Sequence, residues 1–182
     1  MPHAHAHDAH AHDGHHAHAP RVAVAITVSD RSAAGERDDR SGPAVVAALR
    51  GAGYSSGDAV VVPDGADSVA QALRAALADG ARLVVTTGGT GLSPRDHTPE
   101  GTREVLTREI PGIAEELRRI GAAEKPAGML SRGLAGVVDA SGGAAGALVV
   151  NLPGSPAAVA SGMPVILSVA RHVIDQLDGS DH

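Results

Sequence analysis

Residues 83–100 read Leu-Val-Val-Thr-Thr-Gly-Gly-Thr-Gly-Leu-Ser-Pro-Arg-Asp-His-Thr-Pro-Glu. The apolar, β-branched beginning predicts a strand buried on both faces of a sheet. The strand runs into glycines and threonines, and Thr98-Pro99-Glu100 then predicts a helix with Thr98 as its N-cap. Bare N–H groups, hydroxyls and a positive helix end together favour an anion, so the stretch predicts a phosphate-binding loop. Asp96 is either a cation ligand or a carboxylate that shapes the turn.

The composition limits the classes of partner. Tyr54 is the only aromatic residue among 182, which argues against single-stranded nucleic acid because such binding relies on aromatic stacking. A net charge of −6 argues against duplexes, whose binders present a basic face. The sequence has no cysteine, no apolar run of the ~18 residues that a membrane helix needs and no secretion signal. We therefore expect a cytoplasmic protein without a membrane or nucleic-acid partner.

Residues 1–20 differ from the rest of the chain and contain eight of its eleven histidines. Without branched aliphatic residues this segment cannot form a core, so we predict a disordered tail followed by one domain at 21–182. Neutral imidazoles at short spacing bind Zn²⁺ or Ni²⁺, which makes a metal store, sensor or delivery role one interpretation. A solubilising tail or a cloning remnant are the alternatives.

The first half of the domain alternates strands and helices. Strands are predicted at 21–28, 59–62 and from 83, and helices at about 43–51 and from Asp67 or Ser68. Asp39 or Ser41 is the predicted cap of the first helix. This β-α-β-α-β order implies parallel strands joined by right-handed crossovers.

The second half continues this pattern less regularly. Helices are predicted from Thr98 and from Pro111, a loop at 121–128, and strands near 134–138 and at 147–152. The turn Pro153-Gly154-Ser155-Pro156 precedes a helical tail that Gly162 and Pro164 are predicted to break into two helices.

Several strand ends carry polar residues suited to phosphate chemistry. They are the loop 29–42, Asp64, the loop 86–98 and the turn 153–156. Asp64 is explained either by the Pro-Asp-Gly turn or by pairing with Asp96 on one Mg²⁺, which accepts one or two carboxylates and completes its shell with phosphate oxygens and water. The loop 29–42 is either part of a site or a solvated run of charges. The Walker A and dinucleotide-binding patterns are both missing.

The order of these motifs resembles the MoaB/Mog family of molybdenum-cofactor biosynthesis proteins. The resemblance covers about residues 21–178 and rests on Ser29-Asp30-Arg31, Gly35, Asp39, Gly42-Pro43, Val62-Pro63-Asp64, Thr86-Thr87-Gly88-Gly89-Thr90-Gly91, Arg95-Asp96, Thr98-Pro99-Glu100, Ser131-Arg132 and Asn151-Leu152-Pro153-Gly154-Ser155-Pro156. It implies a three-layer α/β/α sandwich with a mostly parallel sheet, usually assembled as a homotrimer.

The resemblance also implies a function in molybdenum cofactor biosynthesis. Active members transfer AMP from Mg-ATP to the phosphate of molybdopterin and release pyrophosphate, whereas other members have no assigned activity and bind molybdopterin without catalysis. By motif, Asp64 and Asp96 are the implied catalytic and Mg²⁺-handling residues. The residues implied to hold phosphate or molybdopterin are Thr87, Gly88, Gly89, Thr90, Gly91, Ser131, Arg132, Pro153, Gly154 and Ser155. Other proteins of the same biosynthesis are the expected protein partners.

Four further polar residues are possible accessories to the site, namely Ser29, Asp30, Asp39 and Arg95, and the role of Asp39 is unassigned. Arg95 either steadies phosphate charge or solvates the loop. His97 is interpreted as a loop residue rather than a base, and His172 as a structural or surface residue.

Overall fold

The structure, a computed structural model, describes residues 21–179. The predicted tail at 1–20 lies outside this range, so its disorder and its metal role stay predictions. The described strands are β1 (Ala23–Val28), β2 (Val60–Val62), β3 (Leu83–Thr87), β4 (Arg108–Glu109), β5 (Ala135–Val138) and β6 (Ala147–Leu152). The helices are α1 (Asp30–Ala33), α2 (Ser41–Gly51), α3 (Ala66–Ala78), α4 (Thr98–Arg103), α5 (Pro111–Glu124) and α6 (Pro156–Leu177), with a 3₁₀ helix at Pro126–Leu130.

The six strands form one sheet in the order β2-β1-β3-β6-β5-β4. The first four are parallel, with β3 paired to β1 on one side and to β6 on the other. β5 runs antiparallel to β6, so the segment that precedes β5 lies at the same edge as the carboxyl ends of the parallel strands. This edge gathers the polar segments that follow β1, β2, β3 and β6.

Helices cover both faces of the sheet, as the predicted three-layer sandwich requires. One face packs against α2, α5 and α6 around Leu49, Leu83 and Ile166. The other packs against α3 around Val69, Leu73 and Val84. Branched aliphatic residues and alanine fill both layers, so the fold needs no aromatic core.

The predicted strand β1 is central, as its apolar sequence indicated. One predicted helix cap agrees with the structure and one differs. The Asp39 carboxylate accepts hydrogen bonds from the amides of Ser41 and Gly42, so Asp39, one of the two predicted caps, caps the start of α2, although Arg40 occupies the N-cap position. Thr98 is not a cap, because its hydroxyl donates to the Gly88 carbonyl at 2.9 Å while His97 occupies the N-cap position.

The predicted break in the last helix is wrong, since α6 runs without interruption through Gly162 and Pro164. Pro164 lies on the exposed face, where water can bind the carbonyl that loses its amide partner. Gly162 is buried, and a Cβ there would lie 2.6 Å from Leu152 Cδ2. The glycine therefore permits close packing on the sheet and does not end the helix.

By length and composition alone, α6 is apolar enough to cross a membrane. Its residues Val159, Met163, Ile166, Ala170 and Ile174 are buried in the core. This is the environment of a core helix that packs on a sheet.

The predicted loop at 121–128 is partly wrong, because α5 continues to Glu124. Ala122, Ala123 and Glu124 are good helix formers, and Pro126 then begins the 3₁₀ helix. The short edge strand β4, which pairs with β5, was not predicted because two exposed charged residues carry no strand pattern.

Candidate functional site

The site lies at the edge where the parallel strands end. β1 lies between β2 and β3, so the chain moves to one side of β1 with β2 and to the other with β3. In open α/β sheets, ligands bind in the crevice beyond such a switch point. A cleft of about 350 Å³ opens at this edge beside β3 and β6.

The main cleft brings together most of the residues predicted to hold a ligand. Its floor is the glycine loop after β3 and the turn before α6, and its wall comes from α5 and the segment before β5. The predicted residues that line it are Gly88, Gly89, Thr90, Gly91, Asp96, Ser131, Pro153, Gly154 and Ser155.

Glycine is required at two positions of the loop after β3. Gly88 and Gly89 have φ angles of 103° and 60°, a region that other residues rarely adopt. A Cβ on Gly88 would lie 2.2 Å from the Val28 carbonyl oxygen, and one on Gly89 would lie 2.3 Å from Thr98 Oγ1. The loop thus crosses directly over the end of β1.

The loop keeps its backbone donors available to the cleft. The Gly88 amide donates to the Leu152 carbonyl, but the amides of Gly89, Thr90 and Gly91 donate to no residue in the range 21–179. The amides of Gly154 and Ser155 are equally uncommitted within that range. The two segments adjoin, since a Cβ on Gly154 would lie 3.1 Å from Gly88 Cα. Adjacent free amides of this kind bind anionic oxygens.

Several hydroxyls that resembled ligand donors are used to fix the loops. Thr87 is fully buried, and its Oγ1 donates to the Pro153 carbonyl at 3.0 Å. Ser155 accepts from the Ala158 amide and caps α6. Asn151, which is 2% exposed, donates to the hydroxyls of Thr86 and Thr102. These bonds join the floor of the cleft to the sheet.

Asp64 lies outside the lining of the main cleft, behind Gly89. Its Oδ2 accepts from the Asp30 amide at 2.8 Å, and the Asp64 amide donates to Asp30 Oδ1 at 3.0 Å. Burial raises the pKa of Asp64, and the charges of Asp30 and Asp96 raise it further. The carboxylate Oδ1 has no hydrogen-bond partner in the described range.

Arg95 joins the two loops that carry Asp30 and Asp64. Its guanidinium donates to both Asp30 oxygens at 3.1 Å and to the Asp64 carbonyl at 2.7 Å. The hydrogen bonds from Arg95 hold the pKa of Asp30 below its usual range. Arg95 is thus the counter-charge of this aspartate pair.

Asp96 faces the cleft from the far end of the glycine loop. Its Oδ2 accepts from the Ser93 amide at 2.9 Å, which is the turn-shaping role foreseen as one alternative. Its Oδ1 accepts no hydrogen bond from the described residues. Both aspartates therefore keep one oxygen for a further ligand.

Arg132 fixes the loop and does not line the cleft. Its Nε donates to the Gly91 carbonyl at 2.8 Å, and its other nitrogens bond to the Asp96 carbonyl and to the Glu100 carboxylate. The Arg132 amide also donates to the Thr90 carbonyl. We therefore assign Arg132 to positioning the loop. Its place outside the cleft lining does not favour the predicted direct contact with a ligand.

A smaller pocket of about 120 Å³ lies beside the main cleft, between the ends of β1 and β3. Ser29 and Asp39 line it. Both oxygens of Asp39 are occupied, because Thr27 Oγ1 donates to Oδ2 at 2.7 Å while the cap bonds of α2 use Oδ1. The unassigned acidic position is thus a structural anchor.

A family model described as the probable molybdopterin binding domain matches residues 24–172. The chain belongs to this family. A molybdenum cofactor biosynthesis bifunctional protein of Synechococcus elongatus is 40% identical over 160 residues, which are 88% of this chain and 48% of that protein. A molybdopterin adenylyltransferase of Pyrococcus furiosus is 38% identical over 82% of this chain and 86% of the relative. The chain spans about half the length of the first of these relatives.

Solved structures of the family share the fold. A molybdopterin biosynthesis protein from Mycobacterium abscessus superposes with a TM-score of 0.78 at 42% identity, over 87% of this chain and 97% of that one. The predicted α/β fold and the resemblance to the MoaB/Mog family are therefore confirmed.

Within this molybdopterin binding domain, sequence reasoning missed the cleft residues supplied by α5. Arg118 on α5 and Lys125 just after its end line the wall, and Arg118 Nη1 donates to the Gly133 carbonyl at 3.1 Å. An amphipathic helix with several arginines gives no signal of which one faces a cleft. His97 does not line the cleft, and His172 is exposed on α6, as interpreted from sequence.

Proposed function

We propose that the chain is a molybdopterin adenylyltransferase, which transfers AMP from Mg-ATP to the molybdopterin phosphate and releases pyrophosphate. The observation that carries this proposal is that the free amides at 89–91 and 154–155 adjoin each other while two aspartates with uncommitted oxygens lie at the ends of the glycine loop: a Cβ on Gly89 would lie 3.0 Å from Asp64 Oδ1, and one on Gly91 would lie 2.8 Å from Asp96 Oδ2. The amides suit phosphate groups, and the carboxylates suit a cation that bridges such groups. Relatives named as molybdopterin adenylyltransferases support the same activity.

Molybdopterin is the proposed ligand of the main cleft. The cleft has a floor with free backbone amides and a wall that includes the apolar residues Ala114, Leu117 and Leu130. This mixture suits a ring system that carries a phosphate, since ligand sites combine apolar walls with a few placed polar groups. Ser131, whose hydroxyl lies 3.4 Å from Thr90 Oγ1, is proposed to contact the ligand.

The residues present fit a Mg²⁺ ion. Carboxylate oxygens are the ligands that this hard cation prefers. Burial, followed by the charges of Asp30 and Asp96, raises the pKa of Asp64, and a bound cation would stabilise its ionised form. Residues 21–179 contain no group of three or more acidic or histidine side chains arranged for a metal. Asp64 and Asp96 would therefore hold the ion together with phosphate oxygens and water. When bound, Mg²⁺ would neutralise charge on the triphosphate.

The chain's own residues position the reactants. The amides of the glycine loop hold the molybdopterin phosphate, while Arg132 and Thr98 fix the loop. An oxygen of the molybdopterin phosphate then attacks the α-phosphorus of ATP. The bond between the α-phosphorus and the oxygen that bridges to the β-phosphorus breaks, and pyrophosphate leaves with the electron pair of that bond. Alignment and charge neutralisation supply the catalysis, so no protein nucleophile is needed.

The test is incubation of the chain with molybdopterin, Mg²⁺ and ATP, with pyrophosphate and adenylylated molybdopterin as readouts. We expect equal amounts of both products, and neither when molybdopterin or Mg²⁺ is omitted. Binding of molybdopterin without any AMP transfer would contradict the proposal and favour the alternative, a non-catalytic molybdopterin-binding protein.

We further propose a cytoplasmic homotrimer that works beside other molybdenum-cofactor biosynthesis proteins. A groove between α2 and α6 is lined by the half-buried Ala44, Ala48 and Leu167 and the buried Met163. An apolar groove of this kind supports self-association, since a partner subunit would remove the remaining apolar surface from water. Light scattering tests the assembly, and a monomer at micromolar concentration would contradict it.

A further inference from the structure

The smaller pocket has features that its structural role does not explain. Among the residues that line it are two arginines, Arg37 and Arg40, both exposed. Neither guanidinium group forms an ion pair or a hydrogen bond with any residue in the range 21–179. Two guanidinium groups at one pocket without partners leave an excess of hydrogen-bond donors.

The hydroxyl groups of the pocket add further donors. Ser29 Oγ accepts from the Ser32 amide at 3.2 Å, but its own proton has no acceptor among the described residues. The Ser32 hydroxyl likewise has no partner there. Together with the arginines, these groups form a set of donors suited to phosphate oxygens.

Two carboxylates must be weighed against this positive charge. Asp39 lines the pocket, but its oxygens already accept four hydrogen bonds, from Thr27, Ser41 and Gly42. Asp38 also lines it and is exposed to solvent. Asp39 is therefore committed to the frame of the pocket, and the uncommitted groups are predominantly donors.

The position of the pocket connects it to the main cleft. Thr27, Val28 and Thr87 line it, so it lies at the switch point between the ends of β1 and β3, where open α/β sheets bind ligands. Gly154 lines both the pocket and the main cleft. A chain of linked phosphates can therefore pass from one cavity to the other across Gly154.

The size selects a small anion. The volume of about 120 Å³ is roughly a third of that of the main cleft. A diphosphate group suits this smaller pocket. The lining is polar except for Val28, Pro156 and the glycine, which disfavours a base.

We propose that this pocket binds the β- and γ-phosphates of ATP and then the pyrophosphate that leaves. The inference rests on the proposed adenylyl transfer. The α-phosphate would lie at Gly154, between the pocket and the molybdopterin in the main cleft. When the bond between the α-phosphorus and the bridging oxygen breaks, Arg37 and Arg40 stabilise the negative charge that develops on the departing diphosphate.

The test is calorimetric titration of the full chain with Mg²⁺ and pyrophosphate, in the absence of molybdopterin. The test variant is R37Q/R40Q. The matched control is R31Q/R171Q, which loses the same charge from exposed arginines outside the pocket. We expect the Kd for pyrophosphate to rise about tenfold for each pocket arginine lost, and to change little in the control.

Equal Kd values in the two double variants, or a wild-type chain that binds no pyrophosphate, would overturn the pocket assignment. Because all four arginines are exposed, both variants should keep the wild-type thermal midpoint. Adenylyl transfer by the wild-type chain is measured separately. Its absence would overturn the proposed function, whereas its presence with unchanged pyrophosphate binding in R37Q/R40Q would overturn only the subsite.

Discussion

Asp64 uses one carboxylate oxygen to fix the structure and keeps the other available for a ligand. Its Oδ2 is held by the Asp30 amide, whereas its Oδ1 remains open. Burial and the neighbouring charges raise its pKa, so protonation competes with cation binding at a higher pH than for an ordinary aspartate. In the proposed mechanism the ionised form of Asp64 binds Mg²⁺.

A pH dependence follows from this shift. The proposed mechanism requires ionised Asp64, so we expect kcat/KM to fall as the pH drops through a pKa above the usual aspartate range. Raising the Mg²⁺ concentration should move this acid limb to lower pH, because the cation competes with the proton. Initial rates across pH at two Mg²⁺ concentrations measure the effect, and an acid limb that ignores Mg²⁺ would contradict it.

The raised pKa of Asp64 also makes the stability of the fold depend on pH. A carboxyl group with a raised folded-state pKa stabilises the fold when protonated, and this contribution is lost as the pH rises through the folded pKa. Asp64 therefore costs stability at neutral pH. An amide at this position avoids that cost, so D64N should be no less stable than the wild type at neutral pH.

At the scale of elements, the loop at 88–96 is shaped by bonds from distant parts of the chain. Arg132, which lies 36 positions after Asp96 in the chain, donates to the Asp96 carbonyl. It also bonds to the Gly91 carbonyl and the Glu100 carboxylate, and we call these three contacts of the Arg132 side chain the brace. The sequence predicted the loop but not this brace, because Ser131-Arg132 has no periodicity that reveals where its side chain points. Only the antiparallel return of β5 brings Arg132 to the same edge.

Arg132→Lys tests the brace. Lysine keeps the charge but lacks the planar fork that reaches two carbonyls and a carboxylate at once. Misplacement of catalytic groups by ~1 Å can cost about 100-fold in rate, so we expect kcat to fall by that order while the Kd for molybdopterin changes much less.

The control for the brace is R119K. Arg119 forms a fork with both oxygens of Glu116 at 2.7 Å, on α5 and outside the cleft lining, and its replacement should leave kcat unchanged. An unchanged kcat in R132K would show that the loop holds its shape without the brace. A loss confined to molybdopterin affinity would instead restore Arg132 as a direct anchor.

The long helix α6 allows a second test at this scale. G162A places a methyl group against Leu152 and Leu117, and such overpacking costs about 1–3 kcal/mol. P164A restores a backbone donor in an exposed helix interior, which raises the free energy of unfolding by ~3 kcal/mol through helix propensity. The unfolded chain is freer without proline, and this reduces the gain by ~1 kcal/mol. Thermal unfolding should show the two midpoints moving in opposite directions, and a loss of stability in P164A would contradict this account.

For the whole molecule, the fold was predictable because apolar β-branched strands alternate with amphipathic helices, as in Leu83–Thr87 followed later by β6. The predicted glycine loop and the turn at Pro153–Ser155 also meet as expected. Which side chains line the cleft was not predictable. Asp64 lies behind Gly89 and outside the cleft lining. The Thr87 hydroxyl donates to the Pro153 carbonyl, and Arg118 on α5 lines the cleft. These placements depend on tertiary packing, which local sequence does not encode.

We propose that Asp64 and Asp96, which follow β2 and β3 on either side of β1, turn the proposed molybdopterin-binding cleft into the site of an adenylyltransferase. The most direct measurement compares pyrophosphate release and molybdopterin binding in the wild type, D64N and D96N. We predict that each variant loses turnover while it keeps the fold and most of its molybdopterin affinity. Full turnover in either variant would contradict the role of that aspartate, and full turnover in both would contradict the mechanism.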